Sequence, residues 1–319
     1  MSAQMEASKS ERARAKAPAK GSRAGDVSAP FAAELALSLA LDEAMRGWQR
    51  GGELGFFIPV DEWAQVLAAA AATPKAEELI FPGAREARLA VFRGLPLAAY
   101  LRQHLGLDAA EVDPSQSQAG HAAPGTIASA EHRVASPGGG AGAHLPHAVG
   151  AAIAARTLKR REATLALAGA AAADTDDCHV ALNFASVFRA PVVFLFRAER
   201  EGPAGQLVRR AAGYAIPAQQ MSGDDPAAVQ RRLGELMEAA RQGKGPAILE
   251  VAQPAKRSAD PAALASARRR VEDAFKEARQ GRRPSPAALV QGVFTEPTWP
   301  LLAQARELAG EPAVSPEEV

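Results

Sequence analysis

A single cysteine, Cys178, stands in 319 residues, which excludes an internal disulfide framework and fits a reducing compartment. No apolar run approaches the ~20 residues of a membrane-spanning helix, and no signal-peptide core follows the basic residues near the N-terminus. The expectation is a cytoplasmic protein with no membrane partner. Excess charge is also absent: 37 Lys and Arg balance 36 Asp and Glu, giving no basis for binding nucleic acid or an acidic lipid surface. There is no Gly-x-x-x-x-Gly-Lys-Ser/Thr loop, no Gly-x-Ser-x-Gly elbow and no Cys-x-x-Cys pair, so nucleotide cradles, serine-hydrolase turns and zinc knuckles have no motif here. His121, His132, His144, His147 and the Cys178-His179 pair lack metal-ligand spacing, because Pro146 interrupts His144 and His147 and no second cysteine exists. They read as packing and loop residues.

What is present is organised around residues 164–199, TLALAGAAAADTDDCHVALNFASVFRAPVVFLFRAE. A short apolar run, 164–168, ends at Gly169. A helix follows with apolar positions at Val180, Phe184, Val187 and Phe188, and Pro191 opens a second apolar run, 192–196. Two runs too short for buried helices, joined by one amphipathic helix, predict a βαβ unit of a parallel sheet. Ligands in such folds sit outside the carboxyl ends of the strands, so residues 169–171 and 197–199 are expected to form neighbouring rims of one crevice. Asp174, Asp176 and Asp177 precede the helix and read as caps favoured at its N-terminus.

Other elements follow from periodicity and punctuation. Residues 31–50 form a helix with Leu37, Leu41, Met45 and Trp48 on its apolar side, stopped by Gly51-Gly52. Asp61 is expected to cap a helix through Trp63, Val66 and Leu67 that Thr73-Pro74 ends. Residues 107–143 lose periodicity and collect Gly, Pro, Ser and Ala, a long loop region. Helices are expected over 145–160, 205–212, from Pro226 through Met237, and over 262–280, with a buried strand at 247–252. Residues 1–30, rich in Ala, Lys, Arg and Ser, predict a disordered basic arm, and 311–319 a disordered tail.

Several segments together resemble a family. Leu145-Pro146-His147-Ala148-Val149-Gly150-Ala151-Ala152, His179 with Ala181-Leu182-Asn183-Phe184-Ala185, and Val187 through Phe194 are similar to the alpha subunit of the thiamine diphosphate-dependent, decarboxylating component of 2-oxo acid dehydrogenase complexes, nearest the branched-chain type. Phe81-Pro82, Arg85-Glu86 and Arg93-Gly94-Leu95-Pro96-Leu97 add to the match, which covers residues 31–308 or so. The resemblance implies an α/β thiamine diphosphate-binding fold, a doubly wound, mainly parallel sheet flanked by helices, in one alpha-subunit-like domain over 31–310.

It also implies a cofactor site, and there the chain departs. The family carries Gly-Asp-Gly after the first strand of this unit and Asn-Asn after the second; here the positions read Gly169-Ala170-Ala171 and Ala198-Glu199. Magnesium, which joins the diphosphate to the Asp carboxylate and an Asn carbonyl, requires oxygen ligands, and Ala170 offers a methyl group. Ala171 lacks the second glycine's access to positive φ. A Glu199 carboxylate with no metal, at ~4 Å from a phosphate, would cost about 4 kcal/mol at an effective dielectric near 20. Arg85 matches the arginine of a pair that the family presents to the diphosphate, and a guanidinium forks well onto phosphate. His121 is the candidate match for a histidine lying over the cofactor. In the loop after residue 252 the family has a catalytic His; Gln253 to Ser258 contain none.

The resulting expectation is an alpha-subunit-like protein, catalytically impaired through loss of the magnesium and diphosphate motif and acting through subunit contacts. The alternative is a working thiamine diphosphate-dependent subunit that decarboxylates a branched-chain 2-oxo acid with a beta subunit. The partner is expected to be a beta-type subunit, an alpha-type paralogue or a second copy. Residues 145–155 and 180–193, small or apolar apart from Arg189, are the expected contact segments.

Overall fold

The structure, a computed structural model, describes residues 31–107, 127–137, 140–199, 206–283, 296 and 298–311. The arm expected at 1–30, the tail beyond Glu311 and His121 lie outside the described residues. In chain order the elements are α1 (Ala32–Arg50), α2 (Ala64–Ala71), β1 (Ile80–Phe81), α3 (Leu89–Phe92), α4 (Leu97–Leu105), α5 (Leu145–Thr157), β2 (Thr164–Gly169), α6 (Asp176–Val187), β3 (Val192–Ala198), α7 (Gln206–Ala211), β4 (Ala218–Ser222), α8 (Pro226–Arg241), β5 (Ala247–Ala252), α9 (Pro261–Ala278) and α10 (Trp299–Ala309).

All five strands pair in parallel in the order β1-β2-β3-β5-β4. Apart from Arg197 of β3 and Glu250 of β5, both near the carboxyl end, and Thr164 at the start of β2, the interior strands are apolar on both faces, as a sheet covered on both sides requires. Side chains alternate between the faces. Leu165, Leu167, Val193, Leu195, Leu249 and Val251 pack with α1, α2, α8 and α9, whereas Ala166, Ala168, Phe194, Phe196 and Ile248 pack with α5, α6 and α7. This is the doubly wound arrangement. The helix predicted over 31–50 buries Leu37, Leu41 and Met45, and stacks Trp48 on Phe275 of α9 at 3.7 Å between ring centroids.

Two local expectations are corrected. Asp61 does not cap a helix: it sits at φ 51° at the start of a 3₁₀ turn, its carboxylate pairs with Arg46, and its amide donates to Asp42 Oδ2 at 2.9 Å. The N-cap of α6 is Thr175, whose hydroxyl accepts from the Cys178 amide at 3.2 Å, while Asp176 and Asp177 occupy the first turn and Asp174 pairs with Arg210.

The face of α6 is the third correction. The residues it turns inward are Cys178, Ala181, Leu182 and Ala185, and the residues expected to form its core stripe, Val180, Phe184, Val187 and Phe188, are exposed by 42–69%. Both sets have helical spacing, so periodicity allows either. Close packing decides: α6 lies against α5, whose inward residues Ala148, Val149, Ala152 and Ala155 are small, and against the sheet, where short side chains let the helices approach. The larger residues fall on the opposite side.

Candidate functional site

The crevice lies at the carboxyl end of the sheet. Gly169, last residue of β2, is in register with Arg197 of β3. Ala170, Ala171, Ala173, Asp174, Arg197, Ala198 and Glu199 line a cleft of about 200 Å³ with Phe196, Leu207 and Glu250. The two predicted rims therefore meet in one cavity. The polypeptide leaves Gly169 in a 3₁₀ turn, Ala170–Asp174, before α6 begins.

The side chain that dominates this corner is one the sequence reading left without a role. Arg197 is buried, its Nε donates to the buried Glu86 carboxylate, and its guanidinium lies 5.1 Å from the centre of the Trp63 ring. Gly169 permits this placement, because a Cβ there would stand 3.0 Å from Arg197 Nη2. Gly83 makes room on the other side: a Cβ at 83 would lie 2.4 Å from Glu86 Oε2. Two missing side chains thus frame one ion pair across β1, β2 and β3. Breaking such a buried pair by removing one partner typically costs 3–5 kcal/mol, so the guanidinium is firmly held.

His144 closes the same region from the start of α5. Buried, it makes a 2.7 Å hydrogen bond from Nε2 to the Leu167 carbonyl, which fixes the proton on Nε2. Nδ1 is then an acceptor, without a partner among the described residues. Burial pushes the His144 pKa down, against the opposing pull of the Leu167 hydrogen bond and the Glu86 charge, so the ring is a neutral imidazole at neutral pH.

Of the residues assigned by resemblance, Ala170, Ala171 and Glu199 line the cleft, Gly169 borders it through Arg197, and Arg85 is half-buried where the 3₁₀ turn of Glu86–Arg88 starts. Magnesium takes oxygen ligands, and at the positions aligned with the family's ligands Ala170 and Ala198 present methyl groups while Glu199 is exposed. The side chains at this turn do not fit a magnesium-bound diphosphate. Cys178 and His179, adjacent in sequence, diverge: the thiol is buried, with burial raising its pKa to about 11, whereas His179 is exposed and hydrogen-bonded through Nδ1 to the Tyr214 hydroxyl at 2.7 Å. The thiol is therefore no nucleophile at neutral pH. One signal could have revealed Arg197: a charged residue near the end of an apolar strand needs a buried counter-charge, and Glu86 stands in an upstream segment that adds to the family match.

The dehydrogenase E1 component family matches residues 35–253, and the chain belongs to it. Over 216 residues it is 30% identical to the 3-methyl-2-oxobutanoate dehydrogenase subunit alpha of Mycobacterium tuberculosis, a match spanning 63% of this chain and 53% of that protein. Over 212 residues it is 27% identical to the 2-oxoisovalerate dehydrogenase subunit alpha of Bacillus subtilis, covering 63% and 62%. Among solved structures, a transketolase from Campylobacter jejuni superposes with a TM-score of 0.49 at 14% identity, covering 78% of this chain and 48% of that one. The chain is a 2-oxo acid dehydrogenase E1 alpha-like protein of a thiamine diphosphate-dependent family, and it spans about half to three-fifths of the length of these curated relatives.

Proposed function

We propose that this protein is an alpha-like subunit that has kept the family scaffold, has lost binding of thiamine diphosphate and magnesium, and acts through contacts with another subunit. The observation that carries the reading is the crevice itself: methyl groups at 170 and 198 beside an arginine tied down by Glu86. A diphosphate entering here would meet the Glu199 carboxylate with no metal to bridge them, a repulsion of about 4 kcal/mol at ~4 Å, roughly a thousandfold in affinity. The partner is a beta-type subunit, an alpha-type paralogue or a second copy, and the lone buried cysteine supports a place in the reducing cytoplasm.

Calorimetry on the full chain with thiamine diphosphate and magnesium is the test. No heat of binding is expected up to about 1 mM cofactor. Uptake at micromolar levels or tighter would overturn the reading and return the chain to the catalytic members, whose activity with a co-expressed beta-type subunit on 2-oxo acids would then be the assay.

A further inference from the structure

At the end of the sheet opposite the crevice, a cavity of about 440 Å³ lies among Lys75, Arg161, Glu238, Arg241 and Gln242. Lys75 precedes β1, Arg161 precedes β2, and the other three end or follow α8, which leads into β5. The strands between span about 20 Å at ~3.3 Å per residue, so this hollow is separate from the cleft at 169–171 and 197–199. Among the described residues its lining has no apolar side chain. It therefore suits an ion, and it offers no surface on which a hydrophobic body or an aromatic ring could pack.

Arg241 is fixed before any ligand arrives. Its Nε and Nη2 each donate to Glu78 at 2.7 Å, and its Nη1 donates to Glu238 at 3.1 Å. A guanidinium carries five N–H donors, so one remains on each terminal nitrogen, a preset fork of the kind that matches phosphate oxygens. Glu78, wholly buried, balances the Arg241 charge from beneath. Lys75 and Arg161 are exposed, and the side chain of neither has a salt bridge or hydrogen bond among the described residues. Glu238 is the one carboxylate in the lining, and it already accepts from Arg241 and from Gln242 Nε2 at 3.0 Å. Two uncommitted cations and a fixed fork thus share one hollow, which selects an anion. The volume falls in the range of small-metabolite pockets and leaves room for more than a bare phosphate. Gln242, its amide nitrogen engaged, has a carbonyl oxygen left to accept from a hydroxyl group.

We propose that this hollow binds a small phosphate monoester bearing hydroxyl groups, with the phosphate held by Arg241, Lys75 and Arg161 and a hydroxyl held by Gln242. The site goes beyond the subunit role proposed above and holds whether or not the crevice takes a cofactor.

Calorimetry on the full chain with glycerol 3-phosphate should give a Kd of about 0.5 mM or tighter, weakening as salt is raised. Inorganic phosphate should bind at least about threefold more weakly, and glycerol not at all. Lys75→Ala and Arg161→Ala, both at exposed positions and so compatible with folding, should each weaken the ester about tenfold, the loss of one charged hydrogen bond. The two together should abolish binding while circular dichroism stays that of the parent chain. Gln242→Ala should bring the ester down to the affinity of inorganic phosphate and leave phosphate itself unchanged. No heat with the ester up to about 10 mM, an affinity unmoved in the Lys75→Ala, Arg161→Ala double variant, or phosphate binding as tightly as its ester overturns the proposal. Run on that double variant, the cofactor calorimetry reports the crevice alone, so the two proposals fail separately.

Discussion

At the scale of single residues, the identity of a site depends on what stands one position away from a motif. Restoring the family's ligands by Ala170→Asp with Glu199→Asn leaves net charge unchanged and supplies both a carboxylate and an amide carbonyl to the cleft. Arg197 lines the same cleft and its strand is in register with Gly169, so the new carboxylate has a guanidinium beside it and pairs with that before it meets a metal. The double variant is therefore expected to remain without calorimetric uptake of magnesium and thiamine diphosphate up to about 1 mM; a clear binding isotherm would show that Arg197 is no obstacle. The positions of Ala170, Ala171 and Glu199 at the cleft were legible in the sequence because strand ends are fixed by composition. The Arg197–Glu86 pair was not, since it joins residues 111 apart in sequence, and only the register of three strands brings them together.

At the scale of elements, the parallel strands and the glycine stops could be read locally, and the structure adds the caps Asp225 and Asp260 of α8 and α9, which accept from the Ala228 and Ala263 amides at 2.9 Å. The orientation of α6 could not. Its two faces are both apolar, and side-chain size rather than hydropathy decides which is buried. Long-range stitching was equally hidden. Glu78, fully buried before β1, receives a two-point grip from Arg241 at the end of α8, Nε and Nη2 each at 2.7 Å, and accepts from the amides of Lys75 and Ala163 at 2.8 Å. Burial alone would raise its pKa, but the Arg241 bonds and the two amides more than offset that and hold it below the usual carboxylate range. Replacing it by alanine strips a partly buried cation and two amides of their acceptor at once. Glu78→Ala should cost about 3–5 kcal/mol, read as a lower urea midpoint; a loss under about 1 kcal/mol would mean the junction of β1, β2 and α8 is held by packing alone.

At the scale of the whole molecule, the sheet's α1 side carries a polar kernel that ties stability to pH. Arg88, almost wholly buried, donates to Asp42 Oδ1 at 2.6 Å and to the Ser38 hydroxyl and carbonyl at 3.0 Å, with its guanidinium 5.8 Å from the Phe57 ring and 6.0 Å from that of Tyr100. Against Tyr100, at 4.7 Å between ring centroids, packs His104 of α4, also buried. Burial first, and then the Arg88 charge, push the His104 pKa down to about 4. An unfolded histidine titrates near 6.5, so between about pH 6.5 and about pH 4 the unfolded chain binds a proton that the folded one refuses. The depressed pKa contributes stability that is fully present above about pH 6.5 and is lost as the pH falls toward 4, about 3 kcal/mol in all at 1.36 kcal/mol per pKa unit. His144, lowered in the same direction, adds to the slope, and a comparison with His104→Leu isolates the one residue. Urea unfolding at about pH 7 and about pH 4.5 should show the parent chain losing about 2 kcal/mol more than the variant. Parallel losses in the two proteins would place the proton uptake elsewhere and leave His104 as packing alone.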